Sequence, residues 1–149
     1  MKVKVERDLS TADCGDIAIT AAEGGINYWA RFVDGYDYRR WSPVTYSGDG
    51  SYSPDGQGNT EVPEDFVFYT IWSPEGTFEV TPELIARGVQ LVLTGIPMPE
   101  EDKVAHPALA NVRWNFEPRA FADDDFAAMD ADEADWVIQL GAFGKLVYG

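Results

Sequence analysis

Gly24 and Gly25 interrupt an apolar helical stripe and hand the chain to an aromatic run. This junction, Glu23-Gly24-Gly25-Ile26-Asn27-Tyr28-Trp29, constrains the fold more than any other stretch. Upstream, Cys14, Ile17, Ala18 and Ala21 fall at i, i+3, i+4 and i+7, the spacing of one helix face. Ser10 or Thr11 can cap that helix, with Asp13 in its first turn, where an acid complements the helix dipole. The glycines then stop it, as a C-terminal glycine does. Downstream, residues 26–33 are β-branched and aromatic and predict a strand. Strand alternation would place Asn27 and Trp29 on one face and Tyr28 on the other. Only Glu23 carries a charge at neutral pH in this heptad, so it reads as a ligand-binding or structural corner rather than a catalytic centre.

The remaining elements follow from local signals. Residues 2–6 alternate polar and apolar and predict a strand. Residues 47–63 are turn-rich, with few aliphatics, and predict an exposed loop. Residues 65–72 are apolar on both faces, as a central strand is. Ser73-Pro74-Glu75-Gly76 turns the chain into a second strand over 77–80, giving a hairpin. Thr81-Pro82-Glu83 combines a capping hydroxyl, a proline at the first position and an acid in the first turn, and so starts a helix. Its stripe is Leu84, Ile85, Gly88, Val89 and Val92. A glycine there costs about 1 kcal/mol relative to alanine, which points to close packing against another element. Four prolines make residues 97–130 an irregular insert. Asp130 or Asp132 starts a last helix with Ala134, Val137, Ile138 and Gly141 inward, and residues 145–148 predict a terminal strand. The expected architecture is a single α+β domain over residues 1–149, a mostly antiparallel sheet of about five strands covered by two or three helices.

Charge narrows the partners. The chain of 149 residues has 26 acidic and 11 basic side chains, a formal charge of −15. That field repels nucleic-acid phosphates, so no direct nucleic-acid binding is expected, and it favours basic partners. Eight acids against Arg119 alone fall within residues 117–135, a net −7. Asp123, Asp124, Asp125, Asp132, Glu133 and Asp135 are the expected partner-binding face, against the plain reading of a solvated helix surface. Cys14 is the single cysteine, so no intrachain disulfide forms. No apolar run approaches the roughly 18 residues of a membrane helix. A soluble cytoplasmic protein is expected, with its oligomeric state left open.

Chemistry-bearing constellations are sparse. A Cys14–His106 pair is conceivable, but a thiol on the apolar stripe of a helix is ordinarily an inert small hydrophobe. One cysteine and one histidine cannot build a structural zinc site. The aspartates of residues 123–135 do not fit an EF-hand, and their places at helix starts are explained by the dipole. No metal and no cofactor is expected. Arg31, Arg39 and Arg40 lie among Tyr28, Trp29, Tyr36, Tyr38 and Trp41. Such a set can stack a base and hold a phosphate, or can be cation–π pairs with nothing bound, which is the commoner state.

The heptad, together with Ile138-Gln139 and the closing Phe143-Gly144-Lys145-Leu146-Val147-Tyr148-Gly149, resembles a group of small proteins encoded by tailed bacteriophages and prophages. Lys145 stands where that group carries an acid, and the insert at 97–130 is longer than in its shorter members. The resemblance covers about a quarter of the chain. It implies phage origin and an α+β domain, and no mechanism. Accessory phage proteins often act on the host by binding. The leading expectation is therefore a non-enzymatic protein that binds a host or defence macromolecule through its acidic surface. The alternative is a binder of a nucleotide-like small molecule built on Asn27, Tyr28, Trp29 and Gln139.

Overall fold

In the computed structural model, residues 9–41, 44–46, 52–54, 61–94 and 129–149 are described. The strand expected at 2–6, most of the insert at 97–130, His106 and the acids Asp123, Asp124 and Asp125 lie outside these residues. Three helices are described: α1 (Thr11–Thr20), α2 (Pro82–Thr94) and α3 (Ala131–Phe143). The strands are β1 (Arg31–Phe32), β2 (Val44–Tyr46), β3 (Tyr52–Pro54), β4 (Tyr69–Ser73) and β5 (Gly76–Val80).

The helix starts obey their local signals. Ser10 caps α1, its Oγ accepting from the Asp13 N–H at 3.0 Å while Asp13 accepts from the Ser10 N–H at 3.2 Å. Thr81 Oγ1 accepts from the Leu84 N–H at the head of α2. Asp130 caps α3 in the same reciprocal way with Glu133. These side chains satisfy backbone donors that the first turn leaves open. At Asp130 and Glu133, capping accounts for two of the acids counted in the sequence.

Helix α3 is the centre of the fold. Residues 133–141 are all buried, so the element is enclosed around its whole circumference rather than along one stripe. Helix α2 lies antiparallel on it and the two backbones nearly touch. A Cβ on Gly88 would fall 2.1 Å from the Val137 carbonyl oxygen, and one on Gly141 would fall 2.1 Å from that of Leu84. Each helix thus supplies one glycine to the crossing, which is the close packing that Gly88 predicts.

Strands β1, β4 and β5 form an antiparallel sheet with β4 central, so the hairpin reading holds. Its inner face carries Phe32, Tyr69, Ile71 and Val80, onto which Tyr36, Trp41 and Phe68 pack ring against ring. The Tyr69 hydroxyl donates to the Ala18 carbonyl at 2.8 Å and pins this aromatic layer to α1.

The expected single sheet of about five strands is replaced, among the described residues, by this three-stranded sheet and a separate β2–β3 ladder. Strand β3 falls inside the expected loop at 47–63, where pairing with Val44–Tyr46 overrides weak local preference. The strand expected over 26–33 shrinks to Arg31–Phe32, and the one over 65–72 begins at Tyr69. No strand forms at 145–148, for a reason that lies in the site below.

We expect Gly88→Ala to destabilise the fold by about 3 kcal/mol in denaturant titration, because the added methyl must push the α2 and α3 backbones away from each other. Gly24→Ala is the contrast. Its Cβ would meet only the Ala131 methyl, at 3.6 Å, and the change should be neutral or stabilising by about 0.5 kcal/mol.

Candidate functional site

Helix α1 runs without a break into a wider π turn, Ala21–Gly25, closed by the Ile26 N–H donating to the Ala21 carbonyl at 3.0 Å. Gly25 ends the helix, yet the residue after it, Ile26, remains right-handed. The glycine is needed for space instead. A Cβ there would lie 2.6 Å from the Ala131 carbonyl oxygen and 3.3 Å from the Asp135 nitrogen. This close approach brings the heptad onto the first turns of α3.

The chain then turns rather than extends. The Trp29 and Ala30 N–H groups both donate to the Ile26 carbonyl, at 3.1 and 2.9 Å. In that turn Tyr28 and Trp29, not Asn27 and Trp29, converge. The Tyr28 hydroxyl donates to Asp135 Oδ2 at 2.7 Å and Trp29 Nε1 donates to Asp135 Oδ1 at 2.7 Å. Asn27 is exposed and stays outside this network. β propensity in Ile26, Tyr28 and Trp29 loses here to a carboxylate more than a hundred residues away.

One turn along α3, Gln139 is fully buried and all its polar atoms are engaged. Its Nε2 donates to Asp135 Oδ1 at 3.0 Å and to the Tyr148 carbonyl at 3.1 Å, with the Tyr28 hydroxyl oxygen at 3.3 Å. Its Oε1 accepts from the Val147 and Tyr148 N–H groups at 2.9 and 2.8 Å. The amide has two hydrogens, so the two shorter contacts are its bonds and the tyrosine oxygen shares one of them. A single side chain thereby does for the C-terminal segment what a neighbouring strand would do, which is why no strand forms there. Gly144, left-handed at φ 73°, turns the chain back from α3 towards Gln139. Tyr148 then stacks on Trp29, with ring centroids 5.0 Å apart and planes 8° from parallel, and Phe143 packs against both.

The electrostatics follow from burial. Asp135 is 3 % exposed, and desolvation raises its pKa above the ordinary carboxylate value, against the opposing pull of hydrogen bonds from Tyr28, Gln139 and Trp29. The Tyr28 hydroxyl is pushed up by desolvation first and by the neighbouring Asp135 second. Cys14 is buried and its thiol is pushed up to about 12, chiefly by desolvation, so it is an inert side chain in the α1 stripe.

The expected ligand residues therefore divide. Tyr28, Trp29 and Gln139 come together around Asp135, and Asn27 stands apart on the surface. The partner-binding acids divide too. Asp132 is exposed as expected, whereas Glu133 and Asp135 are turned into the fold, one as a capping residue and one as the acceptor of this network. Among the described residues no set of histidine, cysteine and acidic side chains is arranged to hold a metal ion. None of their helices is long and apolar enough to cross a membrane. The arginine–aromatic group resolves into local pairs. Arg39 is hydrogen-bonded to Asp37 at 2.8 and 3.1 Å, and Arg40 lies 5.4 Å over the Phe66 ring.

A second acidic grouping exists that linear spacing could not reveal. The segment at 61–66 runs from the head of α1, where the Thr11 hydroxyl donates to Glu61, to the head of α2, where the Glu83 N–H donates to the Glu64 carbonyl at 3.3 Å. The two helix heads are neighbours, with Cys14 Sγ 3.8 Å from the Pro82 carbonyl. Glu61, Glu64, Asp65 and Glu83 are exposed there, beside the half-buried Asp13. No protein-family model, curated protein or solved structure matches the chain.

Two outcomes test the network. Gln139→Ala should cost about 2–4 kcal/mol in denaturant titration, since it strands buried partners. It should also speed amide exchange at Val147 and Tyr148 while exchange in α2 stays slow. Asp135 holds its proton more tightly folded than unfolded, so its contribution is complete below the unfolded carboxylate pKa and is lost as pH rises through the higher folded value. Stability measured across the acid range should shift in favour of wild type over Asp135→Asn as pH falls, and towards the variant as pH rises.

Proposed function

We propose that this is a non-enzymatic accessory protein of a tailed phage or prophage that acts by binding a basic host or defence macromolecule through its acidic surface. The phage assignment rests on the resemblance carried by the heptad and the C-terminal motif. The mode of action rests on charge. The carrying observation is the gathering of Glu61, Glu64, Asp65 and Glu83, all exposed, where the heads of α1 and α2 meet. Glu61, Glu64 and Asp65 lie in a non-helical segment and Glu83 on α2, so a solvated face of one helix does not account for them.

Acids at helix N-termini also complement the dipole, and Glu83 in the first turn of α2 does so. Glu61, Glu64 and Asp65 precede α2 and belong to no helix. They add negative charge beyond what the positive helix ends take up, which raises the local concentration of a cationic partner and speeds encounter. The chain's −15 charge works in the same direction over longer range. The nucleotide-binder alternative has less to draw on, because the polar atoms of Gln139 and the Trp29 N–H are engaged inside the fold.

The test is retention of host-lysate proteins on the immobilised chain. Specific partners should be held at about 50 mM salt and released by about 500 mM, as exposed charge pairs are screened over that range. The combined variant Glu61→Gln, Glu64→Gln, Asp65→Asn and Glu83→Gln should weaken that retention at least about tenfold, with a melting temperature lowered by no more than about 4 °C for the lost Thr11 and helix-end interactions. Retention indifferent to both salt and the variant would overturn the reading.

A further inference from the structure

We propose that the exposed ring of Tyr28 is a docking point for a cationic side chain, an arginine of a basic partner, with Asp132 as its flanking anion. This rests on the acidic-surface reading above and places one contact within it.

Tyr28 is 61 % exposed, the most exposed large hydrophobic residue among the described residues. Its hydroxyl nevertheless reaches in to Asp135, 2.7 Å away and itself buried. The side chain is thus anchored at its polar tip while most of the residue meets solvent. An exposed tyrosine with a free tip samples several rotamers and must be ordered on binding. Here the Asp135 bond and the turn closed on Ile26 have already fixed it, so the ordering cost is small.

The chemistry of the face selects the partner. A tyrosine ring attracts a cation over its π face, and arginine does this most often because its planar guanidinium also stacks. The hydroxyl donates to a carboxylate, which leaves the ring richer in electrons. Asp132 precedes Asp135, the acceptor of the Tyr28 hydroxyl, by three residues on α3, so the two share a helix face, and its exposure lets it meet a guanidinium held over the ring. A nucleobase could stack on the same ring, but its phosphates would meet Asp132 and the field of the whole chain.

The probe is a labelled nonapeptide of alternating arginine and serine, with its twin carrying citrulline at every arginine, followed by fluorescence anisotropy on the full chain. Wild type should bind the arginine peptide and not the citrulline twin. Tyr28→Phe keeps the ring but loses its anchor and should bind between wild type and Tyr28→Leu, whereas Tyr28→Leu and Asp132→Asn should each bind about two- to fivefold more weakly than wild type. Melting curves on the same samples show that the variants are folded, and Asp132→Asn leaves the Tyr28–Asp135 bond untouched. Wild-type affinity in Tyr28→Leu overturns the docking point. If the helix-head variant Glu61→Gln, Glu64→Gln, Asp65→Asn and Glu83→Gln then loses the peptide, the acidic-surface reading survives that failure. Equal binding of the arginine and citrulline peptides to wild type overturns both.

Discussion

A carboxylate removed from water has to be met by donors or it destabilises whatever buries it, and Asp135 is the point at which this fold meets that demand. Its donors come from two directions. Tyr28 and Trp29 arrive from the turn after α1, and Gln139 from one turn further along α3. Because hydrogen-bond geometry tolerates little displacement, the turn cannot move relative to α3 without breaking two bonds to a buried carboxyl group. The tight contact of Gly25 with Ala131 makes the approach close enough for those side chains to reach. Gln139 carries the constraint on to the C-terminal segment, which has no ladder of its own among the described residues.

How much of this is legible in the sequence depends on whether the deciding partner is local. Ser10, Thr81 and Asp130 announce helix starts because a cap and the donors it satisfies lie within three residues of each other. Gly88 announces a close contact because its only alternative explanation is an unforced loss of helix propensity. The α+β class and the β4–β5 hairpin are legible for the same local reasons. The turn at 26–29 is not. Ile26, Tyr28 and Trp29 favour a strand equally well, and the bond that decides against it comes from Asp135 on α3. The tail at 145–148 misleads in the same way, since a side-chain amide satisfying two backbone N–H groups leaves no periodic trace. Of the site, sequence reasoning reaches Tyr28, Trp29 and Gln139 but takes Asp135 for a surface charge.

That mistake shows what a charge census measures. The acids of residues 130–135 include an exposed cap, its buried reciprocal partner, a second exposed side chain and the buried acceptor at the centre of the network. All four contribute equally to formal charge, but only Asp130 and Asp132 face solvent. The acids at the heads of α1 and α2 show the reverse case. Three of them fall within residues 61–65, and Glu83 joins them because the 61–66 segment bridges two neighbouring helix heads. Net charge describes the field of the molecule as a whole and does not say which residues carry it outward.

Tyr28 is where the two scales meet, because its ring belongs to the surface and its hydroxyl to the core. A group bound to the ring acts on Asp135 through one hydrogen bond, on Gln139 through the same carboxylate, and on Val147 and Tyr148 through the amide. The coupling has a definite sign. A cation over the ring favours the ionised carboxylate behind it, which strengthens the bonds from Trp29 and Gln139 that hold the tail. Linkage is reciprocal, so a firmly seated tail also favours the cation-ready form of the ring. The arrangement favours a partner that leaves the fold as it is, which is what a binding surface built on a rigid network requires.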